Sequence, residues 1–178
     1  MSKMNIAQAL RRIKKLKGRM GELTARASGS VSYEVGKKPP FDFRTTRDEV
    51  AVIREELVTL EASVARANAV TELEYDERRL TLAEAIRRLQ ECKAEMTWLA
   101  QLSLRSGVEK RTERDYDDAS GRTLLVKHET EYAADLSEVE RAAEIESLRG
   151  RFERLNDAVE AANHRTPVDW REPAKASA

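Results

Sequence analysis

The chain has 178 residues, of which 36% are charged and 5% aromatic, and its net charge at pH 7 is zero. So few aromatic residues argue against one large globular core, and the periodic apolar residues exclude a disordered chain. No apolar run reaches the roughly 18 residues of a membrane helix, so we expect a soluble, cytoplasmic protein with no membrane partner. We place one helical domain at residues 1–170 and a flexible tail at residues 171–178.

The first predicted helix runs from Asn5 to Ala27, with apolar residues every three or four positions. It is strongly basic, because residues 1–27 contain eight Lys or Arg and one Glu. A basic helix can bind nucleic acid through such side chains. The candidate residues are Arg11, Arg12, Lys14, Lys15, Lys17 and Arg19. No aromatic residue lies among them for base stacking, so nucleic-acid binding is the lesser alternative to pairing with the acidic residues 128–163.

Two stretches between helices look like strands. Residues 30–44, SVSYEVGKKPPFDFR, alternate β-branched and polar residues before a break at Pro39-Pro40, which predicts strand, turn and strand. Residues 122–133, RTLLVKHETEYA, also alternate. Because a lone strand leaves its backbone groups unpaired, we expect these stretches to pair into a small sheet, within one chain or between chains.

The second predicted helix begins at Thr46, which fits a capping box with Glu49, and it ends near Glu74. Its apolar residues recur at alternating spacings of three and four, the heptad pattern of a coiled coil, and the last helix repeats this spacing. The predicted packing and oligomer residues are Val50, Ile53, Leu57, Leu60, Val64, Phe152, Leu155 and Val159. Because such rows leave apolar surface exposed, we expect a homo-oligomer, most simply a dimer.

The third predicted helix follows a short break, YDERR, that would make it an antiparallel neighbour of the second helix. It starts with a capping box, Thr81 with Glu84, and stops near Ser106. Residues 108–121 are polar and predict a loop. The fourth helix has Asp135 or Ser137 as its N-cap and ends near His164.

No glycine-rich phosphate loop, paired-cysteine spacing or catalytic set is recognisable, so we assign no catalytic residue and no cofactor. His164 and Glu160 share a helical face and are the weak metal-ligand candidates, although a helix end often carries such a pair for capping alone. Cys92 is interpreted as a core thiol. Asn68 either is buried and fixes the helix register or faces solvent.

These elements predict a mainly α fold of long antiparallel helices, either a helical hairpin or a coiled-coil-like four-helix bundle. A small β-hairpin or sheet would come from the inter-helix segments near residues 31–44 and 122–133. The function that fits is a non-enzymatic structural or protein-interaction protein that forms a helical oligomer. A nucleic-acid-binding protein using the first helix, or a metal-dependent protein using His164 and Glu160, are the alternatives.

Several segments resemble a bacterial family of helical-hairpin proteins of unknown function. They include MNIAQALRRIKKLKGRM, VSYEVGKKPPFDF, LEASVARANAVT, RLTLAEAIRRLQECKAEMTWLAQL and the terminal LSEVERAAEIESLRGRFERLNDAVEAANHRTPVDW. The resemblance spans about residues 4–170 and implies a helical hairpin or bundle with small β elements. It implies no activity or site residue. Some members carry the label septicolysin, a pore-forming toxin, and the lack of a signal-peptide pattern argues against carrying that activity over.

Overall fold

The structure is a computed structural model that describes residues 4–117 and 122–171. Within these residues the chain is mainly helical, with four helices and three small antiparallel sheets, which confirms the predicted fold class at this level. In chain order the elements are β1 (Met4–Asn5), α1 (Ile6–Ser30), α2 (Phe43–Val70), β2 (Glu72–Tyr75), β3 (Arg78–Thr81), α3 (Leu82–Gln101), β4 (Gly107–Asp117), β5 (Arg122–Tyr132), α4 (Glu138–Arg165) and β6 (Pro167–Val168). The finer prediction of a helical hairpin or four-helix bundle stays a prediction.

The described chain divides into two compact units. The first comprises the residues up to Leu89 together with those from Glu153 onward, and the second comprises residues 90–152. The unit boundaries fall within α3 and α4. None of the helices among the described residues is both long enough and apolar enough to cross a membrane.

In the first unit, α1 and α2 pack along each other. The buried and half-buried positions of α1 recur at alternating intervals of three and four residues, and so do those of α2. They are Ile6, Ala9, Ile13, Leu16, Met20, Leu23 and Ala27 in α1 and Ala67, Val64, Leu60, Leu57, Ile53, Val50 and Thr46 in α2. Two heptad rows therefore form the main seam of the core.

The first residues of the described chain lie against its last elements. β1 pairs with β6 antiparallel, and the Ile6 amide donates to the Thr166 carbonyl at 3.0 Å. Asn5 caps α1, because its side-chain oxygen accepts from the Gln8 amide at 2.8 Å. The same side chain donates through Nδ2 to the His164 carbonyl at 2.9 Å. One asparagine thus satisfies a donor at the start of α1 and a carbonyl at the end of α4.

Helix α2 begins three residues before the predicted position. Asp42 is its N-cap, and its carboxylate accepts from the Thr45 amide at 2.8 Å. Hydrogen bonds from the backbone and hydroxyl of Thr45 hold the pKa of Asp42 below its ordinary value. Thr46 is buried, and its hydroxyl donates to the Asp42 carbonyl at 2.7 Å. The predicted capping box at Thr46 is therefore wrong, because Asp42 already caps the helix.

The other two capping predictions agree with the structure. The Glu84 carboxylate accepts from the Thr81 amide at 2.7 Å, and the Thr81 hydroxyl accepts from the Glu84 amide at 3.2 Å. Ser137 and Glu140 make the same reciprocal pair at the start of α4. The hydrogen bonds from Thr81 and Ser137 lower the pKa of Glu84 and of Glu140, respectively, as expected for carboxylates stabilised in their charged form.

The segment between α2 and α3 is a tight β-hairpin, which corrects the prediction of a simple loop. β2 and β3 pair with Tyr75 opposite Arg78. The two turn residues, Asp76 and Glu77, have φ angles of 47° and 60°. Positive φ at both central residues is typical of the hairpin turn whose twist matches that of the strands.

The larger β predictions are partly wrong. Residues 122–132 form a strand as predicted, but residues 31–42 contain no strand and do not pair with residues 122–132 within the chain. The partner of β5 is β4, which lies in the stretch predicted to be a loop. A neighbouring segment closes a short hairpin at a smaller entropy cost than a segment some 90 residues away, and this favours β4.

The second unit has little buried apolar surface. Leu99 of α3 and Leu148 of α4 are its buried hydrophobic side chains among the described residues. Arg141 donates through Nη1 to the Leu102 carbonyl at 2.9 Å, so the start of α4 satisfies a carbonyl just beyond α3. Cys92 is half-buried, whereas the sequence predicted a buried core thiol.

Candidate interaction surfaces

The basic face of α1 consists of the six predicted cations and lies beside the apolar seam. Three of them pair with glutamates of α2. These pairs are Arg12 Nε with Glu56 Oε1 at 2.6 Å, Lys17 Nζ with Glu61 Oε1 at 2.7 Å, and Arg19 Nη2 with Glu49 Oε2 at 3.9 Å. The acidic residues 128–163 were expected to supply the partners of these cations, but within the described chain the three ion pairs are made with α2. Half of the basic face belongs to the packing of α1 on α2.

The remaining cations of the basic face are exposed. Arg11, Lys14 and Lys15 have no ion-pair partner among the residues the structure describes. A shallow groove of about 510 Å³ lies beside Arg11 and Lys15. It is lined by Arg11, Arg12, Lys15, Leu16, Arg19 and Glu56. The groove can hold an anionic group, because its charged lining is four cations and one carboxylate.

Arg12 has a second role in the packing of the chain's last described residues. Its guanidinium lies 4.8 Å from the ring centroid of Trp170, which is buried. The indole Nε1 donates to the Thr59 hydroxyl at 3.2 Å. A cation on the ring face and an acceptor for the N–H satisfy both the apolar and the polar part of the tryptophan. Arg12 is thus a structural residue and is poorly placed to bind a ligand.

The weak metal candidates lie at the end of α4. Glu160 accepts a hydrogen bond from Asn156 Nδ2 at 3.2 Å, and both Glu160 and His164 are exposed. Among the described residues no three His, Cys, Asp or Glu side chains cluster as metal ligands would. The backbone carbonyl of His164 accepts a hydrogen bond from the Asn5 side chain, so the end of α4 is bound to the start of α1.

The predicted packing residues lie inside the chain. Seven of the eight lie in α2 and α4 and belong to the core of the first unit. The eighth, Phe152 of the second unit, is half-buried. In α2 the row is buried against α1, so it is covered without a second copy. Asn68 lies beside this row and is half-buried, and its Oδ1 accepts no hydrogen bond from any described residue.

The most exposed element is the β4–β5 ribbon, formed by Gly107–Asp117 and Arg122–Tyr132. Its two strands pair along all eleven positions, with Gly107 opposite Tyr132 and Asp117 opposite Arg122. Of its described side chains, Val126 and Tyr132 are half-buried and the others are exposed. In the described chain neither strand has a neighbour on its outer edge. The ribbon therefore presents two rows of free backbone donors and acceptors.

Several charge pairs lie along the ribbon. Lys110 Nζ lies 2.7 Å from Glu129 Oε1 on the facing strand, and Arg111 Nε lies 3.0 Å from Glu113 Oε1 along the same strand. At the ribbon's base, Arg105 lies over the Tyr132 ring at 5.4 Å from its centroid. All of these pairs are solvent-exposed, so each contributes at most about 1 kcal/mol to stability.

This surface could hardly be predicted from the sequence. β4 reads GVEKRTERDYD, which is mostly charged, has two β-branched residues and shows no apolar alternation. Its described side chains, at residues 107–114, are all exposed, so this part of the strand has no buried face that would produce an apolar pattern. The signal that could have found it is indirect, because β5 alternates and needs a nearby partner.

An exposed tryptophan marks a smaller surface on α3. Trp98 is 60% exposed and lies on a shallow depression with Ala94 and Thr97. It is off the apolar row of its helix, as the spacing predicts. Nothing among the described residues of the second unit covers it.

The comparisons with known proteins concern the fold. A family model described as a family of unknown function (DUF6847) matches residues 13–168. The chain is also similar to a solved structure described as the crystal structure of a functionally unknown conserved protein from Corynebacterium diphtheriae, with a TM-score of 0.73 and 19% sequence identity. That similarity covers 94% of this chain and 100% of the other, and it shows the fold alone. No curated protein matches the chain.

Proposed function

The chain belongs to the family of unknown function whose model it matches, and from that premise we propose that it is a non-enzymatic structural or protein-interaction protein that assembles with copies of itself. In this proposal the long antiparallel, coiled-coil-like helices are a scaffold. The element that makes contact is the β4–β5 ribbon.

The observation that carries the proposal is the exposure of the ribbon. An isolated two-stranded hairpin is at best marginally stable in water, and a third strand or a packed face is what usually stabilises it. Here the ribbon has eleven residues per strand, and none of its described side chains is fully buried. Apolar residues on it are also exposed, with Val108 at 54% and Leu125 at 70%. A protein partner on the ribbon accounts for both features.

Light scattering coupled to size-exclusion chromatography tests the proposal on the full chain. We expect a mass of two chains, about 40 kDa, since one chain is 20.2 kDa. The measurement is made over a range of protein concentrations, so that a weak dimer is seen as a rising mass. A mass of 20 kDa at every concentration up to about 100 μM would contradict self-assembly, because it limits the association to less than about 5 kcal/mol.

A second candidate function is nucleic-acid binding by the basic face of α1. The observation that favours it is that Arg11, Lys14 and Lys15 are exposed and unpaired within the described chain. Three cations beside a groove can contact successive phosphates. Such binding would be independent of base sequence, because phosphate contacts carry no sequence information.

Fluorescence anisotropy with a labelled duplex tests the second candidate. We expect binding at about 50 mM salt that weakens steeply toward 200 mM and is lost when Lys14→Glu and Lys15→Glu are combined. The matched control combines Lys37→Glu with Lys38→Glu, which changes the net charge equally outside α1. Equal loss in both variants would mean that net charge alone is responsible, and absence of binding at low salt removes this candidate.

A further inference from the structure

The outer edge of β5 is complementary to a second copy of itself. β5 bonds to β4 on one side, and on the other side no described strand lies beside it. Two edges of this kind join antiparallel when a two-fold axis runs perpendicular to the sheet, and the paired residues must then lie on the same face. The axis must therefore pass between one residue of β5 and the same residue of the second copy. This condition leaves few possible registers.

The sequence around His128 selects one of these registers. With the axis at His128, Lys127 of each copy lies opposite Glu129 of the other, which gives two ion pairs by symmetry. Val126 then lies opposite Thr130, a pairing of two β-branched residues. An axis at Lys127 would put two lysines opposite each other, and an axis at Glu129 would do the same with two glutamates. Like charges directly opposite are destabilising.

The side chains needed for this pairing are available. Lys127 is exposed and has no ion-pair partner among the described residues. Glu129 is exposed and contacts Lys110 through Oε1, so its other oxygen can accept from a lysine of a second copy. Cross-strand neighbours on the ribbon share a face, so Lys110, Lys127 and Glu129 all point to the same side.

We propose that two copies of this chain pair through the outer edges of β5, antiparallel about His128, to form one four-stranded sheet. The overlap covers residues 124–132, about 30 Å of strand. Each ribbon gains the third and fourth strands that it lacks alone. The inference rests on the proposed self-assembly and names the surface that produces it.

Sedimentation velocity of the full chain tests the inference with charge variants. Lys127→Glu sets Glu129 against a like charge in both pairs, and we expect the dimer dissociation constant to rise about tenfold or more. Combining Lys127→Glu with Glu129→Lys exchanges the charges and restores both cross-copy pairs. We expect this double variant to return to within about threefold of the wild type, because the like-charge contact that Glu129→Lys creates with Lys110 lies within each ribbon and is solvent-exposed.

The matched control is Arg114→Glu, which makes the same change of charge on the exposed side of β4. We expect the control to leave the dissociation constant within about twofold, because β4 lies on the far side of each ribbon from the axis. Far-UV circular dichroism checks that every variant keeps its helices. A dimer unaffected by Lys127→Glu, or equally weakened by Arg114→Glu, would overturn this inference and leave the proposed self-assembly intact. A wild-type chain that is monomeric throughout would overturn both.

Discussion

At the scale of single residues, the helix caps link this chain's stability to pH. Asp42 accepts from the Thr45 amide, and this hydrogen bonding keeps its pKa in the folded protein below the ordinary value of 3.8. The unfolded chain therefore binds more protons than the folded chain between those two pKa values. The contribution of Asp42 is fully present above about pH 4 and is lost as the pH falls through the folded-state pKa.

Asp42→Asn isolates this effect. Asparagine caps a helix about as well as aspartate but does not titrate, so we expect similar stability at pH 7 and a weaker loss below pH 4. Asp42→Ala removes the cap as well and should lower stability at both pH values. Urea unfolding at pH 3 and pH 7, followed by circular dichroism, measures both. An Asn variant with the same acid sensitivity as the wild type would show that other carboxylates dominate, with Glu84 and Glu140 as the first to examine.

Trp170 shows how one buried residue fixes a chain end. It packs under Arg12 and donates to Thr59, so it ties the segment after β6 to both α1 and α2. We expect Trp170→Ala to lower the free energy of unfolding by about 3–5 kcal/mol, the usual cost of removing a large buried side chain. Trp170→Phe keeps a ring beneath Arg12 and loses the N–H donor, so it should cost far less. Equal losses in urea titrations of the two variants would mean that the ring contributes little.

At the scale of elements, the sequence predicts whatever is periodic and buried. The four helices and the row from Val50 to Val64 follow from apolar spacing, since each row faces a core. The second capping box, Thr81 with Glu84, follows from local chemistry. β4 could not be predicted in this way, because its described side chains are exposed on both faces and leave no apolar pattern. Residues 31–35 show the opposite error, since Val31, Tyr33 and Val35 alternate yet are exposed, with Val35 at 99%.

The interaction surfaces, like the elements, were only partly predictable from the sequence. Composition points to the basic face of α1 correctly, but it cannot say which cations are already paired. That depends on the register between α1 and α2, which sets Arg12 against Glu56 and leaves Lys14 free of ion pairs within the described chain. Pairing of β5 was expected from its alternation, and its partner was misassigned because pairing depends on chain closure as well as pattern.

Two glycines weaken α1 without a compensating contact. A Cβ placed at Gly18 or Gly21 would meet no described atom within 4 Å beyond its own turn, so neither glycine lets another described element approach closely. We expect Gly18→Ala and Gly21→Ala each to raise the free energy of unfolding by about 0.5–1 kcal/mol, through helix propensity and a less disordered unfolded chain. Gly107→Ala is the contrasting control, because its φ of 85° suits glycine and alanine there should destabilise. Thermal unfolding of the three variants checks the signs, and a stabilising Gly107→Ala would contradict the conformational argument.

At the scale of the whole molecule, the buried apolar core is unevenly distributed. Every member of the large core cluster belongs to the first unit, whereas the second unit buries Leu99 and Leu148. Stability within a protein follows such differences, since segments with few buried contacts open at low free energy. The element proposed to bind a second copy is therefore also the one with the least support from its own chain.

Hydrogen exchange measured by mass spectrometry should show this gradient. We expect the amides at the centre of α2, around Leu60, to exchange most slowly, and those of the β4–β5 ribbon to exchange fastest among the regular elements. If two copies pair through β5, its amides should gain protection at high protein concentration while those of β4 change less, because the new hydrogen bonds form on the outer edge of β5. Dilution should reverse the gain. Protection of the ribbon equal to that of α2 at low concentration would contradict the gradient, and a gain confined to β4 would place the contact on the other edge.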